Sequence, residues 1–343
     1  MTHDSNHHLD SGNPPAADAG IFGSTVAPED AAIILIPVPW EVTASYGRGT
    51  SEAPEKMVPV SHQLDVFDEF FGEPYRFGIA QVPSLAGLAD TNQEMIKLID
   101  DARSKSAMGI PDSLRKLVNK QSIAVNDWVE STSRKWLDDH KIVGVVGGDH
   151  SCPLGLMRAL GAKHGEYGVL HVDAHLDMRE AYEGFKYSHA SIMYNAMEEV
   201  AEIKTLVQIG MRDFSRGEWE HVRKLGERVK LLTDRSWCNA LHAHGMQKAI
   251  DAVIAPLPKK VYVSFDIDGL DPALCPGTGT PVPGGLSYQQ AVAILERLGA
   301  SGREIIGFDL CEVGGASEGD WDLNVGARIL YKLCGLAMYG RKF

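Results

Sequence analysis

Residues 169–179 read "VLHVDAHLDMR". The segment opens as a buried β-strand and then places Asp173, His175 and Asp177 at every second position. On an extended segment, side chains two apart point the same way. The alternation therefore predicts one face carrying acid, imidazole and acid, with Ala174 and Leu176 on the other. Two further apolar runs end in similar residues. "IVGVVGGDHS" (142–151) ends at Asp149 and His150, and "KVYVSFDIDGLDP" (260–272) ends at Asp266 and Asp268, again two apart.

Around these stretches strands and helices alternate. "AAIILIPVP", "IVGVVGGDHS", "GVLHVDAH", "TLVQIGMRD", "KVYVSFDIDGLDP" and "EIIGFDLCEV" hold apolar runs rich in β-branched residues, as expected of strands buried on two faces. "WEVTASYGRGTSEAPEKM" after the first strand reads as a loop. Between residues 92 and 140 the period is helical, interrupted at Gly109 and Pro111. "PLGLMRALGAKH" reads as a helix with Pro153 in its first turn. "SYQQAVAILERLGASG" opens with a capping-box pattern, and "NVGARILYKLCGLAMYG" is a closing helix. Strands alternating with helices predict an α/β fold with three α-β-α layers around a mostly parallel sheet. Neither a repeat nor a linker divides it, so residues 29–343 are read as one domain. Residues 1–28, rich in Asp, Ser, Gly, Pro and Ala, are read as a disordered tail.

The chain has 343 residues, 44% hydrophobic and 23% charged, with a net charge of -13. That acidity argues against a nucleic-acid partner. No run is long and apolar enough for a membrane span or a signal core, so a cytoplasmic protein without a membrane partner is expected. The cysteines, Cys152, Cys238, Cys275, Cys311 and Cys334, form no CxxC pair, which argues against a disulfide framework or a thiolate zinc site. The glycines of "PGTGTPVPGG" lack a following Gly-Lys-Ser/Thr, so a nucleotide-phosphate loop is unsupported.

In an open parallel sheet, ligands bind at the carboxyl ends of the strands. Three strands here end in His150, in Asp173, His175 and Asp177, and in Asp266 and Asp268. Carboxylates crowded at a dry strand end repel one another, and a cation removes that penalty. These six groups are too many for one tetrahedral zinc and include no thiolate. Manganese suits them, and nickel remains possible. With bridging carboxylates they would serve two divalent ions, which can lower the pKa of a water held between them.

"VGGDHS", "DAHLD" and "SFDIDGLDP" resemble the signature blocks of the ureohydrolase family, the arginases and agmatinases. "IPVPWEVTASYGRGTSEAPE", "GTGTPVPGGLS" and "GFDLCEV" resemble further blocks of that family, and the likeness runs from about residue 33 to the C-terminus. The resemblance implies an arginase-like fold and a two-metal hydrolase of guanidino C–N bonds. One ion would be held by His150, Asp173, Asp177 and Asp266. The other would be held by Asp173, His175, Asp266 and Asp268. It also implies His189 as proton shuttle and Glu312 as the carboxylate that meets the guanidinium. A homo-oligomer, trimer or hexamer, is implied too, with a hetero-oligomer containing a paralogous subunit as another possibility. His171 reads equally as a group orienting a ligand or as a core histidine. Asp149 and Asp271 read as structural.

Arginases differ from this chain after Asp177, where Arg179 and Glu180 stand in "DMREAYEGFKYSHAS". Arginine is therefore a poor substrate candidate. Tyr182, Phe185 and Tyr187 are candidates for a pocket wall, with packing favoured for Phe185. "REAYEGF" and "WDLNVGARILYKL" are most similar to the guanidine-hydrolase and metformin-hydrolase-like branch. The expected substrate is thus a small guanidine-type cation: guanidine, an alkylguanidine or a biguanide. Agmatine and guanidino acids such as guanidinobutyrate are the alternatives. A non-catalytic partner subunit is a reading of another class.

Overall fold

The computed structural model describes residues 14–105, 109–315 and 319–341. Among the described residues, eight strands form one sheet: β1 (Ile33–Val38), β2 (Ile79–Gln81), β3 (Ile142–Gly147), β4 (Tyr167–Val172), β5 (Ile203–Met211), β6 (Val229–Thr233), β7 (Lys260–Asp266) and β8 (Glu304–Cys311). Their order is β2-β1-β3-β8-β7-β4-β5-β6. Every neighbouring pair is parallel. The expected α/β architecture is therefore present, and the sheet is wholly parallel.

The six strands expected from apolar runs are the inner ones. The two edge strands were not anticipated. β2 has three residues, and β6 (VKLLT) is half-buried beyond its first residue. Neither carries the continuous apolar run of a strand covered on both faces.

Alternate residues of each strand feed two cores. Ile33 and Leu35 pack with helices Ala53–Ser61, Met246–Ile254, Tyr288–Ala300 and Trp321–Met338. Ile34, Ile36 and Val38 pack with helices Leu88–Lys105, Asp112–Asp138, Leu154–His164 and Ile192–Glu199. Burying each such side chain stabilises by about 1.5–3 kcal/mol. Ser287 and Gln290 form the expected capping box. The helix Ala53–Ser61 begins inside the stretch read as a loop, with Pro54 in its first turn, where a missing N–H costs nothing.

The stretch 1–28 divides. Residues 1–13 lie outside the described residues. Ile21 and Phe22, by contrast, are buried. The Phe22 N–H donates to Ser61 Oγ (2.7 Å), and its ring meets Tyr331 edge-on at 4.9 Å. Two apolar residues among turn formers leave no periodicity in the sequence to reveal such an anchor.

β3 and β4 are consecutive in the chain but are separated in the sheet by two strands, β8 and β7. This topological switch brings the carboxyl ends of β3, β8, β7 and β4 side by side, and ligands bind at such crevices.

Candidate metal centre

His150 stands in the turn after β3, buried, with its two ring nitrogens in different company. Nδ1 lies 3.0 Å from Asp173, 3.2 Å from Asp177 and 3.2 Å from Asp266. Nε2 faces Ser264 Oγ at 2.9 Å. His175 forms a second cluster, its Nδ1 lying 3.1 Å from Asp268 and 3.4 Å from Asp173. Asp173 belongs to both: Oδ2 faces His150 and Oδ1 faces His175. The six residues named from the sequence are therefore brought together in two clusters sharing Asp173.

The route to this arrangement is not the uninterrupted pleat that the two-residue spacing implied. β4 ends at Val172, and Asp177 takes a left-handed φ of 54°. Its carbonyl accepts the N–H groups of Met193 and Tyr194, tying this turn to the next helix. β7 ends at Asp266, and Ile267–Gly269 is a 3-10 turn. There the Asp266 carboxylate accepts the Asp268 N–H at 2.8 Å. A Cβ on Gly210, where φ is 99°, would lie 2.6 Å from the Asp173 carbonyl oxygen. Only glycine lets β5 approach this closely.

His171 is a buried histidine in contact with the ligand candidate Asp173. Gln208 Nε2 donates to its Nδ1 (3.1 Å) and to the Leu176 carbonyl (2.9 Å). His171 Nε2–H therefore donates to Asp173 Oδ2 at 2.8 Å. Asp149 is buried beneath the site, and burial pushes its carboxyl up while hydrogen bonds from Ser151 and Thr43 push back. Asp271 accepts the Ala273 N–H at an exposed turn. Asp309 and Ser264, beside His150 Nε2, were not singled out from the sequence. Ser264 shares the strand parity of Asp266, which is the signal that would have found it.

The electrostatics test whether cations fit. Burial, then repulsion from Asp173, pushes the Asp177 carboxyl up to about 7. Burial, then Asp268 and Asp173, pushes Asp266 well above the usual range. Burial would also raise Asp173, but His171, His150 and His175 hold it well below. So many carboxyls cannot all ionise in this sealed space without added positive charge. An oxygen-rich set with two imidazoles and no thiolate suits divalent manganese or nickel, and the fit is therefore good.

A cavity of about 360 Å³ opens over the His175 side. His175, Asp177, Arg179, Tyr182, His189 and Thr280 are among its lining residues. Burial, then His175, lowers the His189 imidazole to about 4, favouring the neutral ring. Arg179 lies over the Tyr182 ring at 5.0 Å and 3.4 Å from Glu218. Phe185 is core, and Tyr187 turns outward to Glu199.

Glu312 lies one layer deeper, beside β8 and not in the cavity wall. Its backbone is left-handed, with φ 62°. Oε1 accepts the His150 N–H at 3.0 Å, while Oε2 is buried without a hydrogen-bond partner. A Cβ on Gly279 would sit 2.7 Å from Oε2. Burial, then Asp149 and Asp268, pushes this carboxyl well above its usual range.

Buried imidazole–carboxylate clusters at parallel strand ends, under an open cavity, have the make-up of a centre for divalent cations. The chain belongs to the arginase family, whose model matches residues 31–335, and that membership makes it a metal-dependent hydrolase of linear amidines. It is similar to the N(1)-aminopropylagmatine ureohydrolase of Thermus thermophilus, 32% identical over 92% of this chain and 94% of that protein. A guanidinobutyrase of Pseudomonas aeruginosa is 36% identical over 55% of this chain and 58% of its own length. The crystal structure of agmatine ureohydrolase from Thermoplasma volcanium superposes with a TM-score of 0.72 at 26% identity, covering 92% of this chain and 93% of that one.

Proposed function

We propose that this chain hydrolyses the C–N bond of a guanidino compound bearing an alkyl tail, releasing urea and an amine. The observation that carries the chemistry is the Asp173 carboxylate, whose two oxygens face two different imidazole clusters. His150, Asp173, Asp177 and Asp266 would hold one divalent ion. His175, Asp173, Asp266 and Asp268 would hold the other, manganese or nickel. When bound, two such ions acidify a water and offset the negative charge gathered in the transition state. Glu312 lies below the cavity lining, and its unpartnered Oε2 would accept the N–H groups of a guanidinium whose end passes beyond that lining. His189, whose imidazole is kept neutral by burial, would take the proton that the attacking water gives up and pass it to the departing nitrogen.

The tail follows from size and likeness. The cavity holds far more than free guanidine, and the relatives named above act on guanidines with alkyl chains. Free guanidine or a methylated relative is the second reading, because the cavity lining includes the stacked pair Arg179 and Tyr182. A cytoplasmic homo-oligomer, trimer or hexamer, completes the proposal.

Urea release should be measured with manganese-loaded and nickel-loaded protein on agmatine, 4-guanidinobutyrate, guanidine and methylguanidines. Turnover of the tailed substrates is expected. Turnover of guanidine alone would replace this reading by the second. Full metal with no turnover of any substrate would point to a non-catalytic partner subunit.

A further inference from the structure

Thr43 lies in the loop that leaves β1, buried, 146 residues from His189 in sequence. A hydroxyl has one proton to donate and two lone pairs to fill. Thr43 gives its proton to Asp149 Oδ2 at 2.8 Å. It accepts the His189 backbone N–H at 3.0 Å. The same oxygen lies 3.4 Å from His189 Nδ1. With the hydroxyl proton committed to a carboxylate, this last contact is attractive only when Nδ1 carries the hydrogen. Asp149 is itself fixed. Its Oδ1 accepts the Ser151 N–H (3.0 Å) and hydroxyl (2.5 Å), and its Oδ2 also accepts the Thr43 N–H (3.3 Å).

We propose that Asp149 and Thr43 are positioning residues that lock His189 in the tautomer protonated at Nδ1, so that the bare Nε2 is the atom that takes and returns the proton. This rests on the reading of His189 as proton carrier. The partner of one ring nitrogen decides which nitrogen is free for chemistry, and the Thr43 hydroxyl is that partner. Neither residue need touch substrate. Thr43 is reached from the far end of the chain, and no motif spacing in the sequence connects the two.

The test is a set of four proteins: Thr43→Val, Thr43→Ser, His189→Ala and the double variant Thr43→Val with His189→Ala. The probe is 4-guanidinobutyrate or whichever guanidino compound the wild type turns over, with metal content measured throughout. Thr43→Val should lower kcat by about tenfold to a hundredfold, the usual effect of losing an orienting hydrogen bond. KM and metal content should be unchanged, and Thr43→Ser should restore kcat. In the His189→Ala background, Thr43→Val should cost nothing more. Wild-type kcat in Thr43→Val, an undiminished loss in the His189→Ala background, or a loss that follows metal release would each overturn the proposal. Wild-type turnover in His189→Ala would overturn the proton-carrier reading first, and the positioning role with it. Should Thr43→Val not fold, the imidazole ¹⁵N spectrum of the zinc-loaded wild type decides. The His189 signal, identified by its loss in His189→Ala, should show protonated Nδ1, and protonated Nε2 would overturn the proposal.

Discussion

The two halves of the site use the same residue types in opposite settings. His150 is 1% exposed and shut in with Asp173, Asp177 and Asp266. His175 is 24% exposed and faces the cavity with Asp268 behind it. A sealed cluster holds charge firmly but meets nothing new, whereas an open one can meet a substrate. The difference teaches that one half anchors the centre and the other works at its surface.

Replacing each histidine tests that contrast most severely. In the metal-free protein, His150→Ala leaves buried carboxylates without their positive partner, and breaking such a pair costs about 3–5 kcal/mol. Thermal unfolding should show this loss, together with loss of metal that excess metal does not restore. His175→Ala should unfold near the wild type and regain activity in excess metal. Equal behaviour of the two variants would erase the contrast. At the open half, His189→Ala should lower turnover by about 10²–10⁴-fold with metal content intact, and an unchanged rate would remove the shuttle. Gly279→Ala places a methyl against Glu312 Oε2. A displacement of that size can cost up to about a hundredfold in kcat/KM, and normal kinetics would show that Glu312 does not receive the substrate.

The smallest effect lies away from the metals. Glu199 accepts from Arg158 and Lys186 at 2.5 and 2.9 Å, beside the loop that carries His189. Burial would raise this carboxyl, but those two cations bring it below its ordinary value. Its folded pKa lies below its unfolded one, so its contribution is complete above about pH 4.3 and fades as pH falls through the folded value. Glu199→Gln should therefore cost about 0.2–1 kcal/mol at pH 7, and nothing in strong acid. A deficit that persists in acid would assign the loss to packing.

Much of this was legible in the sequence, for reasons that differ by residue. The inner strands are covered on both faces, so their apolar runs are continuous. β2 and β6 sit at the edges and lack that signal. The metal-ligand candidates were legible because acid and imidazole stand where apolar strands end. The geometry behind them was not, since Asp177 and Asp268 reach the centre through a left-handed residue and a 3-10 turn. Thr43, Gln208 and Asp309 were illegible for another reason. Their roles are hydrogen bonds to residues far away in the chain, and single-sequence patterns do not record such pairs. Ile21 and Phe22 show the converse, as composition suggested a tail where two side chains hold a core position.

The insertion of β8 and β7 between β3 and β4 has a consequence for how the protein is made. The residues around the centre enter the chain at 150, 173–177 and 266–268, with Glu312 later still. Before β7 and β8 arrive, β3 and β4 have no common neighbour in the sheet. A nascent chain on the ribosome thus owns no complete binding site until most of its length has emerged. The six candidate ligands can meet only after Asp268 has been made, so the order of the strands sets the earliest point at which a cation could be held.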